Sequence, residues 1–319
     1  MGERLKGKAA VVTGSGRGIG RAVALALAAE GAQLVINDAG VALDGSGGEM
    51  TPADQVVAQI RQAGGQAVAN YDSVALYENG EKIVKTCVDT FGKIDILCNV
   101  AGILRDRMIF NMTKEEWYDV INVHLNGTFN CTKFASILMR QQRSGRIINF
   151  TSSAALGTSG HANYGAAKAA IIGFTLAVAR DVGSYGVTCN VIMPGARTRM
   201  TESVPENVAA IRAARGVVMH AAGGAPEAPR RPTGPMGPEY VPPLVVWLCT
   251  NAGANINSQI LGAQGGVVEL YAQPEVWRCI HKDPSKGPWT LDELEGLMPI
   301  SIAKELTNPA PPRQPASPA

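Results

Sequence analysis

Long apolar runs are missing from this chain. No uninterrupted stretch of about 18 apolar residues occurs in its 319 residues, so no membrane span is expected. An excess of one charge is missing too: 29 Lys and Arg against 27 Asp and Glu leave a net charge of +2. That balance argues against a nucleic-acid-binding face and an acidic tail. The start, Met1-Gly2-Glu3-Arg4-Leu5-Lys6, runs straight into a strand pattern, so no signal peptide is expected. Gly2 lacks the Ser or Thr downstream that a myristoylation signal requires. The six cysteines (87, 98, 131, 189, 249 and 279) have neither metal-like nor redox-like spacing. Reduced, mostly buried thiols in a cytoplasmic protein are expected. The final Ser-Pro-Ala differs from the Ser-Lys-Leu peroxisomal address. No internal repeat is present.

What the chain has is alternation. Lys8–Thr13, Gln33–Ile36, Val68–Tyr71, Ile94–Cys98 and Ile147–Phe150 read as short strands. Helical patterns over Arg21–Glu30, Thr51–Ala63 and Gly80–Phe91 lie between them. That order predicts an α/β fold, a Rossmann-type doubly wound parallel sheet in a single domain. In such sheets ligands bind at the carboxyl ends of strands.

The first strand is followed by Gly14-Ser15-Gly16-Arg17-Gly18-Ile19-Gly20 and then a helix. Glycines in that context let a pyrophosphate approach backbone N–H groups at a helix N-terminus. Asp38 ends the second strand, 18 residues beyond Gly20. A carboxylate there suits the adenosine ribose hydroxyls, and no adjacent arginine offers itself to a 2′-phosphate. The pattern favours NAD over NADP; the other reading of Asp38 is a turn-forming residue. Residues 39–50 make a glycine-rich loop longer than a tight βα unit needs.

Tyr164 and Lys168 stand four apart in a helical pattern, on one face and one turn from each other. A free phenol, with a pKa of ~10, is a poor base at neutral pH. A nearby ammonium group favours the phenolate, and a Tyr so tuned can take a proton from an alcohol as hydride leaves its carbon. Ser152, just past the strand ending at Phe150, can hold the same substrate oxygen. Alternatively the helix is an ordinary amphipathic one with a half-buried Tyr.

Taken together, Thr13-Gly14-x-x-x-Gly18-Ile19-Gly20, Asp95-x-Leu97-x-Asn99-x-Ala101-Gly102, Ser152, Tyr164-x-x-x-Lys168 and Pro194-Gly195 resemble the short-chain dehydrogenase/reductase family over about residues 5–270. The resemblance implies roles for the matching positions. Gly14, Ser15, Arg17, Gly18, Ile19, Gly20, Asp38, Ala101, Gly102, Pro194 and Gly195 would surround the cofactor, NAD. Asp72, with Ser73 beside it, would hold the adenine edge, and Asn99 would line the cofactor. Ser152 would orient the substrate oxygen, Tyr164 would be the acid/base, and Lys168 would hold the nicotinamide ribose and tune Tyr164. A closer resemblance rests on Asn37-Asp38 with its glycine-rich insertion, Ala67–Ser73, Gly102–Arg107 and Glu239–Cys249. These segments resemble the (3R)-hydroxyacyl-CoA dehydrogenase unit of D-bifunctional enzymes and related bacterial hydroxyacyl-CoA and hydroxysteroid dehydrogenases.

Three departures from the family pattern stand out. Val100 replaces a largely structural Asn. His124 occupies the position of the family's catalytic Asn, where it is either a proton relay with a pKa of ~6.5 or a helix-packing residue. Ser152 lies 12 residues before Tyr164, one fewer than usual, and Ser153 is its alternative. The shortened loop Ala154–His161 would border the substrate site.

Residues 201–239 lose periodicity and are expected to form a lid over the substrate. Arginines 197, 199, 212, 215, 230 and 231 suit the phosphates of CoA, or a solvated loop. Residues 271–319 form a C-terminal extension, in which Thr290-Leu-Asp-Glu293 resembles a capping box. Residues 308–319, with five prolines, are expected to be disordered. The reading that follows is an NAD-dependent alcohol dehydrogenase acting on a 3-hydroxyacyl-CoA, with a hydroxysteroid as rival substrate. A dinucleotide-binding protein without turnover is the remaining class. A homodimer or homotetramer through the helices near 110–140 and 164–183 is expected by resemblance, and no metal.

Overall fold

The structure is a computed structural model that describes residues 2–42, 44–47, 51–196 and 236–306. The described residues up to 271 form one compact unit, and residues 272–306 belong to a second. Arginines 197, 199, 212, 215, 230 and 231, the lid up to residue 235 and the proline-rich end lie outside the described residues.

In the first unit the strands are β1 (Ala9–Thr13), β2 (Gln33–Asn37), β3 (Gln66–Asn70), β4 (Ile96–Asn99), β5 (Gly145–Phe150), β6 (Val187–Gly195), β7 (Ile260–Gln264) and β8 (Val267–Leu270). They form one sheet in the order β3-β2-β1-β4-β5-β6-β7-β8. Every pairing is parallel except the antiparallel β7–β8. The expected doubly wound sheet is therefore present. After β7 the chain returns as the short antiparallel strand β8. Gly265 and Gly266, both at positive φ, turn the chain back on itself there.

The helices are α1 (Gly18–Ala29), α2 (Thr51–Gln62), α3 (Tyr77–Phe91), α4 (Lys114–Ile121), α5 (Gly127–Gln142), α6 (Ala162–Gly183) and α7 (Pro242–Cys249). Helix α1 begins three residues before the expected Arg21, because Arg17 is still extended and Gly18 already enters the helix. Between α4 and α5 lies a single π-turn, Asn122–Asn126, with helical backbone on both sides. Such turns occur frequently at functional sites, and His124 is the buried residue within this one.

Central strands buried on both faces read as continuous apolar runs, and all five residues of β1 are buried. Two cores result. On one face Val23, Leu27, Leu34, Val56, Val245 and Leu248 meet; on the other Ile83, Val84, Cys131, Met139, Ile147 and Ala179 meet. Strand order reverses between β1 and β4, and the crevice at that switch point faces the carboxyl ends of both strands.

Helix α6 has the length and composition of a membrane-crossing helix, 22 residues with a mean hydropathy of 1.2. Its buried residues Ala167, Ile171, Thr175, Ala179 and Val182 form one stripe, and the helix packs along β6. Asn163, Lys168 and Arg180 interrupt its apolar sequence.

In the second unit, helix α8 (Leu291–Leu297) starts with the expected capping box. Glu293 N donates to Thr290 Oγ1 at 3.3 Å, and Thr290 N donates to the Glu293 carboxylate at 2.8 Å.

Candidate functional site

The crevice opens into a cleft of about 390 Å³. Its floor is the turn after β1. Gly14 and Gly18 have φ of +63° and +54°, values that favour glycine. A Cβ on Gly14 would come within 2.6 Å of Ala101 Cα, and one on Gly20 would strike the Gly14 carbonyl oxygen. The turn is thus pressed against the end of β4. Thr13 Oγ1 fastens the two by accepting from Val100 N at 3.1 Å and Ala101 N at 3.2 Å. Arg17, Gly18 and Ile19 line the cleft. Ser15 does not: it is fully buried, and its hydroxyl donates to Val12 O at 2.7 Å.

At one end of the cleft stands Asp38. Its carboxylate accepts from Gly16 N and from Gly40 N, both at 2.8 Å. The turn-forming reading is seen in these bonds, an Asx-type turn, and Asp38 also lines the cleft. Asp72 and Ser73 line the same end. Asn37 sets their height, donating to Asn70 Oδ1 at 2.8 Å and to Asp72 O at 2.9 Å.

The other end belongs to α6 and the carboxyl end of β5. Ser152 is half-buried and Ser153 exposed. Ser152 Oγ accepts from Ala154 N at 3.2 Å, and the Ser152 side chain acts to lower the Tyr164 phenol's pKa. Of the two serines, Ser152 is the one that influences the Tyr164 phenol. Lys168 is buried; its Nζ donates to Phe150 O at 2.7 Å and sits 5.6 Å from the Tyr164 ring centroid. Burial pushes its pKa down to about 7. Burial also raises the Tyr164 phenol above its ordinary value, against the lowering effect of Ser152. This corrects the expectation of a lowered phenol. Here desolvation exceeds the lowering by Ser152.

His124 is buried, and its ring meets that of Tyr164 edge-on at 5.1 Å. Its Nε2 lies 2.8 Å from Ile103 O and 3.1 Å from Ile103 N, while its Nδ1 is buried without a partner. The tautomer with the proton on Nε2 fits best, because it leaves a bare lone pair rather than an N–H unpartnered. Burial, with Lys168 nearby, pushes the imidazole pKa down to about 3. The structure thus favours the packing alternative over a relay titrating near neutrality.

Asn99 corrects another expectation. Its side chain leaves the cleft wall to Val100 and Ala101 and turns into the core. There Asn99 Nδ2 donates to Thr132 Oγ1 at 3.0 Å and Asn149 Oδ1 at 2.8 Å. Asn149 Nδ2 donates on to Thr175 Oγ1 at 2.9 Å. Of the later pair, Pro194 lines the cleft, whereas Gly195 ends β6 against Gln264. Gly102 lines the cleft and leaves space for the His124 ring.

Sequence reasoning missed several contributors. Asn163, fully buried, donates to Arg105 O and Glu116 O and accepts from Tyr164 N, all within 2.9 Å. A single buried Asn has no periodic signal. Val41, in the glycine-rich loop, lines the cleft and packs against the cluster of Ile103, Val120 and Ala167, on which Tyr164 also packs.

The family model described as short chain dehydrogenase matches residues 8–209. Among curated proteins, the mouse peroxisomal multifunctional enzyme type 2 is 44% identical over 248 residues, covering 77% of this chain. The chain spans only 30% of that relative's length. The hydroxyacyl-CoA dehydrogenase ChsB1 of Mycobacterium tuberculosis is 39% identical, with 92% of this chain and 88% of that protein covered. A crystal structure of a short chain dehydrogenase from Mycobacterium avium superposes with a TM-score of 0.74 at 39% identity, covering 99% of both chains. Another from Burkholderia cenocepacia, in complex with NADP, gives 0.66 at 31%, covering 82% of this chain and 98% of that one.

Proposed function

The chain belongs to the short-chain dehydrogenase family, and from that premise we propose that it interconverts a 3-hydroxyacyl-CoA and the 3-oxoacyl-CoA with NAD as its redox partner. The observation that carries this is a single cleft lined by Tyr164 and Lys168 and by Asp38.

The residues present fit a dinucleotide. The turn excludes side chains at Gly14 and Gly20, which leaves backbone amides at the start of α1 open to close approach. Asp38 adds a carboxylate that suits ribose hydroxyls and repels a 2′-phosphate. That favours NAD in this chain, although the Burkholderia relative holds NADP. A bound nicotinamide supplies the hydride chemistry that these side chains lack.

The chain's own part is proton handling and orientation. Ser152 and the Tyr164 phenol present two groups to one substrate oxygen. Tyr164 takes the hydroxyl proton in oxidation and returns it in reduction. Lys168 approaches the phenol side with a charge that its own burial has weakened. Neutral His124 holds the Ile103 backbone and braces the Tyr164 ring. The hydroxyacyl-CoA assignment draws on the relatives' names and on the segments shared with them. Arginines 197–231, offered as the CoA handle, lie outside the described residues.

Two further parts belong to this reading. Assembly as a homodimer or homotetramer is supported by an aromatic face on α3, α5 and α6, where Tyr77 and Phe129 are 46% and 41% exposed beside Phe134 and Phe174. A cytoplasmic location is supported by six free cysteines, five of them buried, although several relatives are named as peroxisomal.

The test is NADH formation by purified protein with (R)- and (S)-3-hydroxyacyl-CoA esters of several lengths and with 3- and 17-hydroxysteroids. Turnover confined to (R)-acyl-CoA esters supports the proposal. Turnover confined to steroids overturns the acyl-CoA part and keeps the dehydrogenase. No turnover with any substrate, with NADH still bound, favours a binding protein.

A further inference from the structure

The glycine-rich insertion after β2 does more than lengthen a loop. Strand β1 lies between β2 and β4 in the sheet. The insertion leaves the carboxyl end of β2, yet its far side rests on Ile103, just beyond β4. A Cβ on Gly45 would come 3.1 Å from Ile103 Cδ1. Val41 packs against the cluster of Ile103, Val120 and Ala167. The insertion therefore spans two strand spacings, about 10 Å. In doing so it passes the carboxyl end of β1, where the Gly14–Gly20 turn begins. Gly14, Arg17 and Gly18 from the turn and Val41, Ala42 and Gly45 from the insertion line one cleft.

We propose that the insertion is a strap across the dinucleotide site, and that its apolar contact with Ile103 is a clasp that opens to admit and release the cofactor. This rests on the dinucleotide part of the proposed function and adds what controls exchange.

The strap is built to move as a unit. Its tip is held by its own bonds: Ala42 N donates to Ser46 O at 2.8 Å, Gly45 N to Ala42 O at 3.0 Å and Ser46 N to Asp44 Oδ1 at 2.9 Å. Gly40 and Gly47 flank that tip at φ of +70° and +69°. Residues with that freedom absorb the change in a hinge. The root is polar and fixed to the floor of the cleft, since the Asp38 carboxylate accepts from Gly40 N and from Gly16 N of the turn. The seat is apolar, and Ile103 is itself held by His124 Nε2 at its backbone. Of the two sides of the clasp, the strap is the one that lifts.

The test is stopped-flow NADH fluorescence with the whole protein and no substrate, which gives association and dissociation rates. Val41→Ala weakens the clasp. Gly45→Ala drives a Cβ against Ile103 and places a side chain at φ of +88°. In both variants both rates should rise by roughly tenfold, while Kd changes less than either rate. Unmoved rates in both variants, with circular dichroism spectra like the parent's, overturn the proposal. Faster dissociation with unchanged association also overturns it, because a wall that only touches the cofactor gives that pattern. Failure of the parent protein to bind NADH would instead strike the dinucleotide reading, and the strap with it.

Discussion

His124 and Gly102 share one volume: a Cβ on Gly102 would fall on the imidazole Cε1 of His124. The ring occupies that space to bond Ile103 and to stand edge-on to Tyr164. Gly102→Ala should therefore expel the imidazole and cost roughly 1–3 kcal/mol of stability, read by denaturant unfolding. In His124→Ala the same change should cost less, giving a coupling that a double-mutant cycle measures. Equal costs in both backgrounds would mean that the contact is not limiting.

His124 is expected to stay neutral throughout the working range, since its pKa is pushed down to about 3. His124→Asn should lower the rate through lost positioning, while the pH–rate profile between pH 5 and 8 keeps its shape. The stability sign follows. The unfolded chain takes up this proton as pH falls through about 6.5, whereas the folded one resists until about 3. Stability contributed by this group therefore falls on acidification across that window. His124→Asn should flatten that part of the stability curve.

Lys168 follows the same rule in a higher pH window. Its folded pKa of about 7 lies below the ordinary 10.5, so burial opposes its charge. That cost is full below pH 7 and fades as pH rises from 7 to 10.5. Lys168→Met should abolish turnover yet gain on the order of 1–3 kcal/mol at pH 6. The gain should shrink by pH 10. A variant destabilised at both pH values would show that the bond to Phe150 O outweighs the buried charge.

For Asp38, Asp38→Ala combined with Ala39→Arg should shift coenzyme preference from NAD toward NADP, measured as the ratio of kcat/KM values. The carboxylate also holds Gly16 N and Gly40 N, so a loss of about 1–2 kcal/mol should accompany the shift. Lost stability without altered preference would leave only the turn-forming role.

Asn163→Ala should leave two carbonyls and the Tyr164 amide without their partner, costing roughly 1–3 kcal/mol. If Asn163 positions Tyr164, kcat should fall while KM stays close to the parent value.

The sheet was legible because its signals are local. Strand runs such as Gln33–Ile36, the glycine turn and the Thr290 capping box each declare themselves within a few residues. Tyr164, Lys168 and Ser152 were legible through spacing. What was not legible depends on contacts between distant segments. Asn99 reads as a cleft residue until Thr132 and Asn149 are seen to claim its amide. The direction of the Tyr164 shift depends on burial, which sequence spacing does not report. The π-turn that carries His124 has no signature in Asn122–Asn126.

The run of side chains from Asn99 through Asn149 to Thr175 has a further consequence. Each amide points its donor the same way, and Thr175 ends the series by donating to Ile171 O at 2.7 Å. Such a ladder works as a gauge of assembly. It closes only when β4, β5, α5 and α6 are all in register, and a one-residue slip would strand several buried polar groups at once. The chain thereby checks the seating of the helix that bears Tyr164 against the sheet, independently of any ligand.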